Sequence, residues 1–205
     1  DGNDEQSLLR GSETSLSQGQ SGKLDWRVPN TNGAPIFGIG LEISAPEKAD
    51  GLEGRIFLDF LTWDGAPDVK FDRPSGTGQL WRRAWVNGVD QWEGRRPEPF
   101  RIVQNEGIGL ISQGTRDWTD YRVEAPVTIR LATSGGLGAR VQGLRRYYAL
   151  MLDDIGLVRL VKALDGVTTL AAVPFPVERD WRYVLALDVR GSHVIGSIDG
   201  QVLFD

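Results

Sequence analysis

The chain contains no cysteine. Disulfide bridges, cysteine-ligated zinc and thiol nucleophiles are therefore excluded. Histidine is nearly absent as well. His193 is the only one, so no metal site can be built from several imidazoles. It follows Gly191 and Ser192 at the start of a strand pattern and reads as a structural or exposed residue. Lysine is scarce, at Lys23, Lys48, Lys70 and Lys162, and the formal net charge is −5. A nucleic-acid binder needs a basic field to neutralise phosphates, so no nucleic acid is expected as a partner. No run of about 18 apolar residues occurs, the length that a membrane-crossing helix needs, and no membrane partner is expected. No segment keeps a 3.6-residue period over about ten residues, so little helix is expected.

What is present is strand pattern. The 205 residues are 40% apolar and 25% charged, which suffices for a packed core. The length suits one large sandwich or two small domains. Residues 1–22 are polar and turn-rich and read as loop or a frayed start. Phe37, Ile39, Leu41 and Ile43 alternate with Gly38, Gly40 and Glu42, as a half-buried strand does. Residues 55–63 (RIFLDFLTW) are apolar on both faces and read as a central strand. Val69 and Phe71 alternate with Asp68, Lys70 and Asp72. Residues 80–98 read as a strand or short helix followed by a linker, with a boundary near residue 98.

The second half is more regular. Tyr121, Val123, Ala125, Val127, Ile129 and Leu131 share one face of a long alternation. Further strands are expected around 136–142, 145–152, 156–163, 167–174 and 181–190, at the spacing of a sandwich. Trp181, Tyr183, Leu185, Leu187 and Val189 share a face of the last. Asp199-Gly200 between two short apolar runs marks a tight hairpin. The chain begins on the approach to a strand and stops at Asp205 just after that hairpin, which reads as a segment of a longer protein.

Three constellations could carry binding. Flat aromatic rings stack on the apolar faces of sugars, and of the seven tryptophans Trp118 lies on the polar face of its strand, with Asp120 and Arg122. Core filling is the competing role for the others. Residues 139–148 (ARVQGLRRYY) place Arg140 and Gln142 opposite Ala139 and Val141, with Arg145 and Tyr147 after Gly143. Guanidinium and amide groups beside a phenol can bind vicinal hydroxyls. The alternative is a cross-strand ladder pairing Arg140 or Arg145 with Asp120 or Glu124. Asp59 sits inside the doubly apolar run, where a carboxylate needs a cation or several donors; an arginine partner or a structural calcium would both serve. Asp153-Asp154 and Asp64 read as turn residues.

Two regions resemble known folds. GRIFLDFLTWDGAPDVKFDRP, followed by LWRRAWVNGVD, resembles the closing strands of a galactose-binding-like jelly roll. GIGLISQGTRDWTDYRVEAPVTIR, GLGARVQGLRRYYALML and WRYVLALDVRGSHVIGSIDGQVLFD resemble a concanavalin-like (laminin-G-like) sandwich. In this order, over residues 20–205, they resemble the C-terminal β region of some bacterial ADP-ribosylglycohydrolase-family proteins. The helical, magnesium-binding catalytic domain of that family has no counterpart here. The resemblance therefore implies an accessory region, and sandwiches of both kinds often bind carbohydrate.

The expected fold is all-β, with tandem antiparallel β-sandwiches. A partial jelly-roll unit with its polar N-terminal segment would occupy 1–98, and a concanavalin-like unit 99–205. The expected function is a non-catalytic carbohydrate-binding or accessory module of a sugar-acting hydrolase. Its partners would be a glycan or polysaccharide and an N-terminal catalytic domain or another subunit. The candidate ligand residues are Trp118, Arg140, Gln142, Arg145 and Tyr147; the candidate metal residue is Asp59, for calcium. A structural or protein-interaction module and a glycoside-acting enzyme are the alternatives. No motif selects a catalytic carboxylate pair.

Overall fold

The structure is a computed structural model that describes residues 4–31, 34–36, 38–44, 54–65, 68–94 and 96–205. It is all-β. Among the described residues the only helix is a five-residue 3-10 turn, Leu80–Ala84. The chain divides into two compact units. One comprises Asp1–Leu61, Val69–Val86 and Glu93–Arg101, the other Thr62–Asp68, Asn87–Trp92 and Ile102–Asp205.

Four short strands come first: β1 (Val86–Gly88), β2 (Gln91–Trp92), β3 (Ile102–Val103) and β4 (Leu110–Ser112). They form two two-stranded sheets, β1-β4 and β2-β3. Eight longer strands follow: β5 (Tyr121–Thr128), β6 (Ser134–Gly143), β7 (Arg146–Asp153), β8 (Leu157–Leu164), β9 (Val167–Pro174), β10 (Arg182–Arg190), β11 (His193–Ile198) and β12 (Gln201–Phe204). They make two four-stranded antiparallel sheets, ordered β12-β11-β10-β5 and β6-β7-β8-β9. The period-2 pattern from residue 121 onward thus finds its strands within a few residues of their expected bounds.

The two sheets face each other across one core. Leu150 and Leu152 of β7, Val158 and Leu160 of β8, and Leu185, Leu187 and Val189 of β10 meet Ile198 and Phe204 there. Tight turns set the register. Asp199 and Gly200 both take positive φ, 49° and 81°, the two left-handed residues that this hairpin type requires. The Asp199 carboxylate also accepts a hydrogen bond from the Val184 amide at 2.8 Å.

The middle of the β6–β9 sheet, strands β7 and β8, is buried on its other side too. Tyr147, Ala149, Val161 and Ala163 form a second cluster there, packed with Leu110, Val141 and Met151. This explains why β7 and β8 are apolar on both faces in sequence.

Two residues expected in the core lie outside it. Leu131 is 92% exposed and Trp181 59%. The strands stop at Thr128 and start at Arg182, so both positions fall in the end loops where alternation no longer has meaning.

The other unit departs further from expectation. Its described core is aromatic. Phe71 and Trp85 meet edge-on at 5.0 Å between ring centroids, and Trp85 and Phe100 lie 4.9 Å apart. Residues 38–44 and 54–65 form no strand; Phe37 lies outside the described residues. A strand pattern becomes a strand only when a neighbour completes its hydrogen-bond ladder, and none is supplied among the described residues. Ile56, Phe57, Leu58, Phe60, Leu61 and Trp63 are consequently all at least half exposed. Asp59 is exposed with them. The buried setting that motivated a calcium at Asp59 is absent, and no group of three or more metal-binding side chains occurs among the described residues.

Leu150 is fully buried between the sheets. Leu150→Ala should cost about 2–5 kcal/mol, read as a lower urea midpoint with an unchanged slope.

Candidate functional site

Strand direction sorts the loops of the sandwich into two ends. One end holds the β6–β7, β8–β9 and β10–β11 turns and the approach to β5. The other holds the β5–β6, β7–β8, β9–β10 and β11–β12 connections.

The cluster singled out around Arg140 lies at the first end, and there the arginine is already engaged. Arg140 adopts φ 50°, and the β6–β7 register shifts between Ala139 and Gly143. This is a bulge with one left-handed residue. It breaks the alternation, so Ala139 packs into the inter-sheet core while Val141 packs on the outer side of the same sheet. The expectation that these two share a face is corrected by that single residue.

The Arg140 amide donates to the Tyr121 hydroxyl at 2.6 Å. Its guanidinium donates to the Thr119 carbonyl (Nε, 2.8 Å), the Gly191 carbonyl (Nη1, 2.6 Å) and the Asp120 carboxylate (Nη2, 3.2 Å). Asp120 in turn accepts the Gly191 amide at 2.8 Å. Arg140 thereby ties β6 to the opposite sheet, which makes it a clamp within the fold.

Tyr147 is buried in the outer cluster, not displayed beside Arg140. Burial pushes its phenol pKa above the usual value. Gln142 and Arg145 are exposed, and Trp118 is half-buried, its ring close over Gly114. The five residues do not form one exposed face.

The second end carries a different arrangement. An open depression of about 430 Å³ is lined by Thr133, Ser134, Asp153, Asp154, Ile155, Leu157 and Arg159. Ser134 opens β6 and pairs with Asp153 at the end of β7. Asp153 is opposite Leu157 across the β7–β8 turn, which sets Arg159 diagonally from it on the outer face. The diagonal spacing lets long side chains meet. Arg159 donates to both oxygens of Asp153, from Nε at 2.5 Å and from Nη2 at 2.9 Å. That carboxylate is 7% exposed and the guanidinium 32%. The hydrogen bond to Asp153 raises the Arg159 pKa against the opposing effect of burial. Nη1 makes only a long contact, 3.5 Å, to the Thr169 hydroxyl. Beside this pair, Asp154 accepts from Arg179 Nη2 at 2.7 Å.

A half-exposed arginine fixed by a buried carboxylate, with two hydroxyl-bearing side chains nearby, is a rigid set of donors and acceptors. Sequence reading assigned Asp153 and Asp154 to a turn. The available signal was Asp153 on the outer-face register of β7, with an arginine six positions on, across a turn.

No protein-family model matches the chain, and no curated protein does. Among solved structures, the carbohydrate-binding module CBM66 from Bacillus subtilis is similar. The TM-score is 0.52 at 20% identity, over 60% of this chain and 78% of that one. At that identity the likeness is one of fold: a β-sandwich.

Two outcomes follow for the first end. Arg140→Ala should cost about 1–3 kcal/mol of stability by orphaning its partners, whereas Gln142→Ala should stay within about 0.5 kcal/mol; urea titration of both variants checks this. The folded chain holds the Tyr147 proton where the unfolded chain releases it. Its contribution to stability is therefore complete below about pH 10 and is lost as pH rises through the higher folded value. Tyr147→Phe should make the alkaline decline in urea midpoint shallower than in the parent.

Proposed function

We propose that the chain is a non-catalytic carbohydrate-binding module, accessory to a larger sugar-acting hydrolase. The Asp153–Arg159 pair in the depression carries this reading. A planar guanidinium locked in place presents directed donors, and the Thr133 and Ser134 hydroxyls both give and accept. Adjacent sugar hydroxyls need that combination. The sandwich architecture shared with a protein that is itself a carbohydrate-binding module supports it by analogy of fold. The resemblance of residues 20–205 to the accessory region of ADP-ribosylglycohydrolase-family proteins supports the hydrolase context. Residues 1–98 would then belong to a jelly-roll unit.

A second reading, a protein-interaction module, is favoured by one observation. The run from Ile56 to Trp63 exposes six large apolar side chains, more than an isolated surface usually shows together. Light scattering on the purified chain tests it: a concentration-independent monomer counts against it.

A glycan array followed by calorimetry tests the leading reading. Thr133→Val and Ser134→Ala together should weaken binding about tenfold or more, with Gln142→Ala and Arg145→Ala without effect. Loss with the second pair alone would move the ligand to the opposite end. Silence across plant and bacterial polysaccharides would reject the module reading.

A further inference from the structure

We infer that the depression selects a sugar bearing a methyl group over its fully hydroxylated counterpart; the inference rests on the carbohydrate-binding reading of that same site. The lining divides by chemistry. Arg159, Asp153, Asp154, Thr133 and Ser134 are polar, and Ile155 and Leu157 are aliphatic. No aromatic ring lines the depression. The usual way to hold a sugar is to stack its flat C–H face on a flat ring, and nothing flat is available.

Branched aliphatic side chains offer instead a small apolar contact that suits a protruding group. A hydroxymethyl group there would lose water without gaining a partner, since neither Ile155 nor Leu157 has a side-chain donor or acceptor. A methyl group gains from the same contact. Ile155 is held for this purpose at the tip of the β7–β8 turn, 76% exposed. The turn itself is tied down. The Asp154 amide donates to the Thr133 carbonyl at 2.9 Å, and the Gly156 amide to the Asp153 carbonyl at 3.2 Å. An exposed isoleucine on an anchored turn gives the depression an apolar contact in the same lining as Arg159, Thr133 and Ser134.

Two sugar classes carry such a methyl: 6-deoxyhexoses, at C5, and N-acetylhexosamines, on the acetamide. The experiment uses matched pairs that differ only there. D-quinovose is titrated against D-glucose, L-fucose against L-galactose, and N-acetylglucosamine against N-glycolylglucosamine, as methyl glycosides, by calorimetry or ligand-observed NMR. The expected result is about five- to tenfold tighter binding of the methylated member in one class. Preference within the first two pairs assigns the 6-deoxy group, and within the third the acetamide. Ile155→Ser should erase the preference while leaving the melting temperature in place, because the side chain stands in solvent.

Equal or tighter binding of the hydroxylated members, weakened by Ser134→Ala, would overturn the inference and leave the carbohydrate-binding reading standing. A methyl preference that survives both Ile155→Ser and Leu157→Ala would also overturn it. Binding of none of these sugars, nor of any polysaccharide, would remove both.

Discussion

The two central strands of the β6–β9 sheet, β7 and β8, are buried on both faces, and the rest of the sandwich follows from that. Their inward side meets β5 and β10–β12 through Leu150, Leu152, Val158 and Leu160. Their outward side holds Tyr147, Ala149, Val161 and Ala163 under Leu110. A sheet covered on both sides has no room for an unpaired polar group along the middle of its strands. Two arginine–aspartate pairs accordingly stand toward the strand ends. Arg140 with Asp120 does so at one end, and Arg159 with Asp153 at the other.

The two pairs are alike in chemistry and differ in what remains available. Arg140 donates from Nε, Nη1 and Nη2 to Thr119, Gly191 and Asp120, three separate groups whose joining ties the sheets together. Arg159 donates from Nε and Nη2 to a single carboxylate and from Nη1 only at 3.5 Å to the Thr169 hydroxyl, and its side chain is 32% exposed against 22% for Arg140. An ion pair used up within the fold is a structural fitting. One that leaves a directed donor facing solvent beside hydroxyl and aliphatic side chains can meet a ligand. This difference, and not the number of arginines or aromatic residues, separates the two ends.

Much of this sandwich was legible in the sequence. The alternation of Tyr121 to Val127, of Leu150 and Leu152, and of Tyr183 to Val189 gave the right inward face, because an unbroken strand has period two. Asp199-Gly200 announced its hairpin because few residue pairs tolerate two left-handed conformations. The facing of residues 139–143 was misread for a local reason. Arg140 itself is left-handed, a conformation that costs an ordinary L-residue about 1–2 kcal/mol and that no residue type predicts. Four hydrogen bonds hold it there. Once parity breaks at Arg140, every assignment of face between Ala139 and Gly143 changes. The Asp153–Arg159 pair was missed because its members are brought together by a turn whose register alternation alone does not fix.

The run from Arg55 to Trp63 shows the opposite failure, in which the local pattern is strong and the strand does not form. Its apolar residues fall on both faces, the same signature that β7 and β8 carry. The difference lies outside the segment. β7 has β6 and β8 to complete its backbone ladder, plus a cluster on each side to receive its side chains. The run at 55–63 has no paired neighbour among the described residues, so its backbone keeps water as its partner and its side chains stay in solvent. Strand formation is a property of pairs. A doubly apolar run with no pair therefore specifies what a stable neighbour would have to offer: an open sheet edge flanked by apolar surface on both sides, with a cation or amide donors placed opposite Asp59.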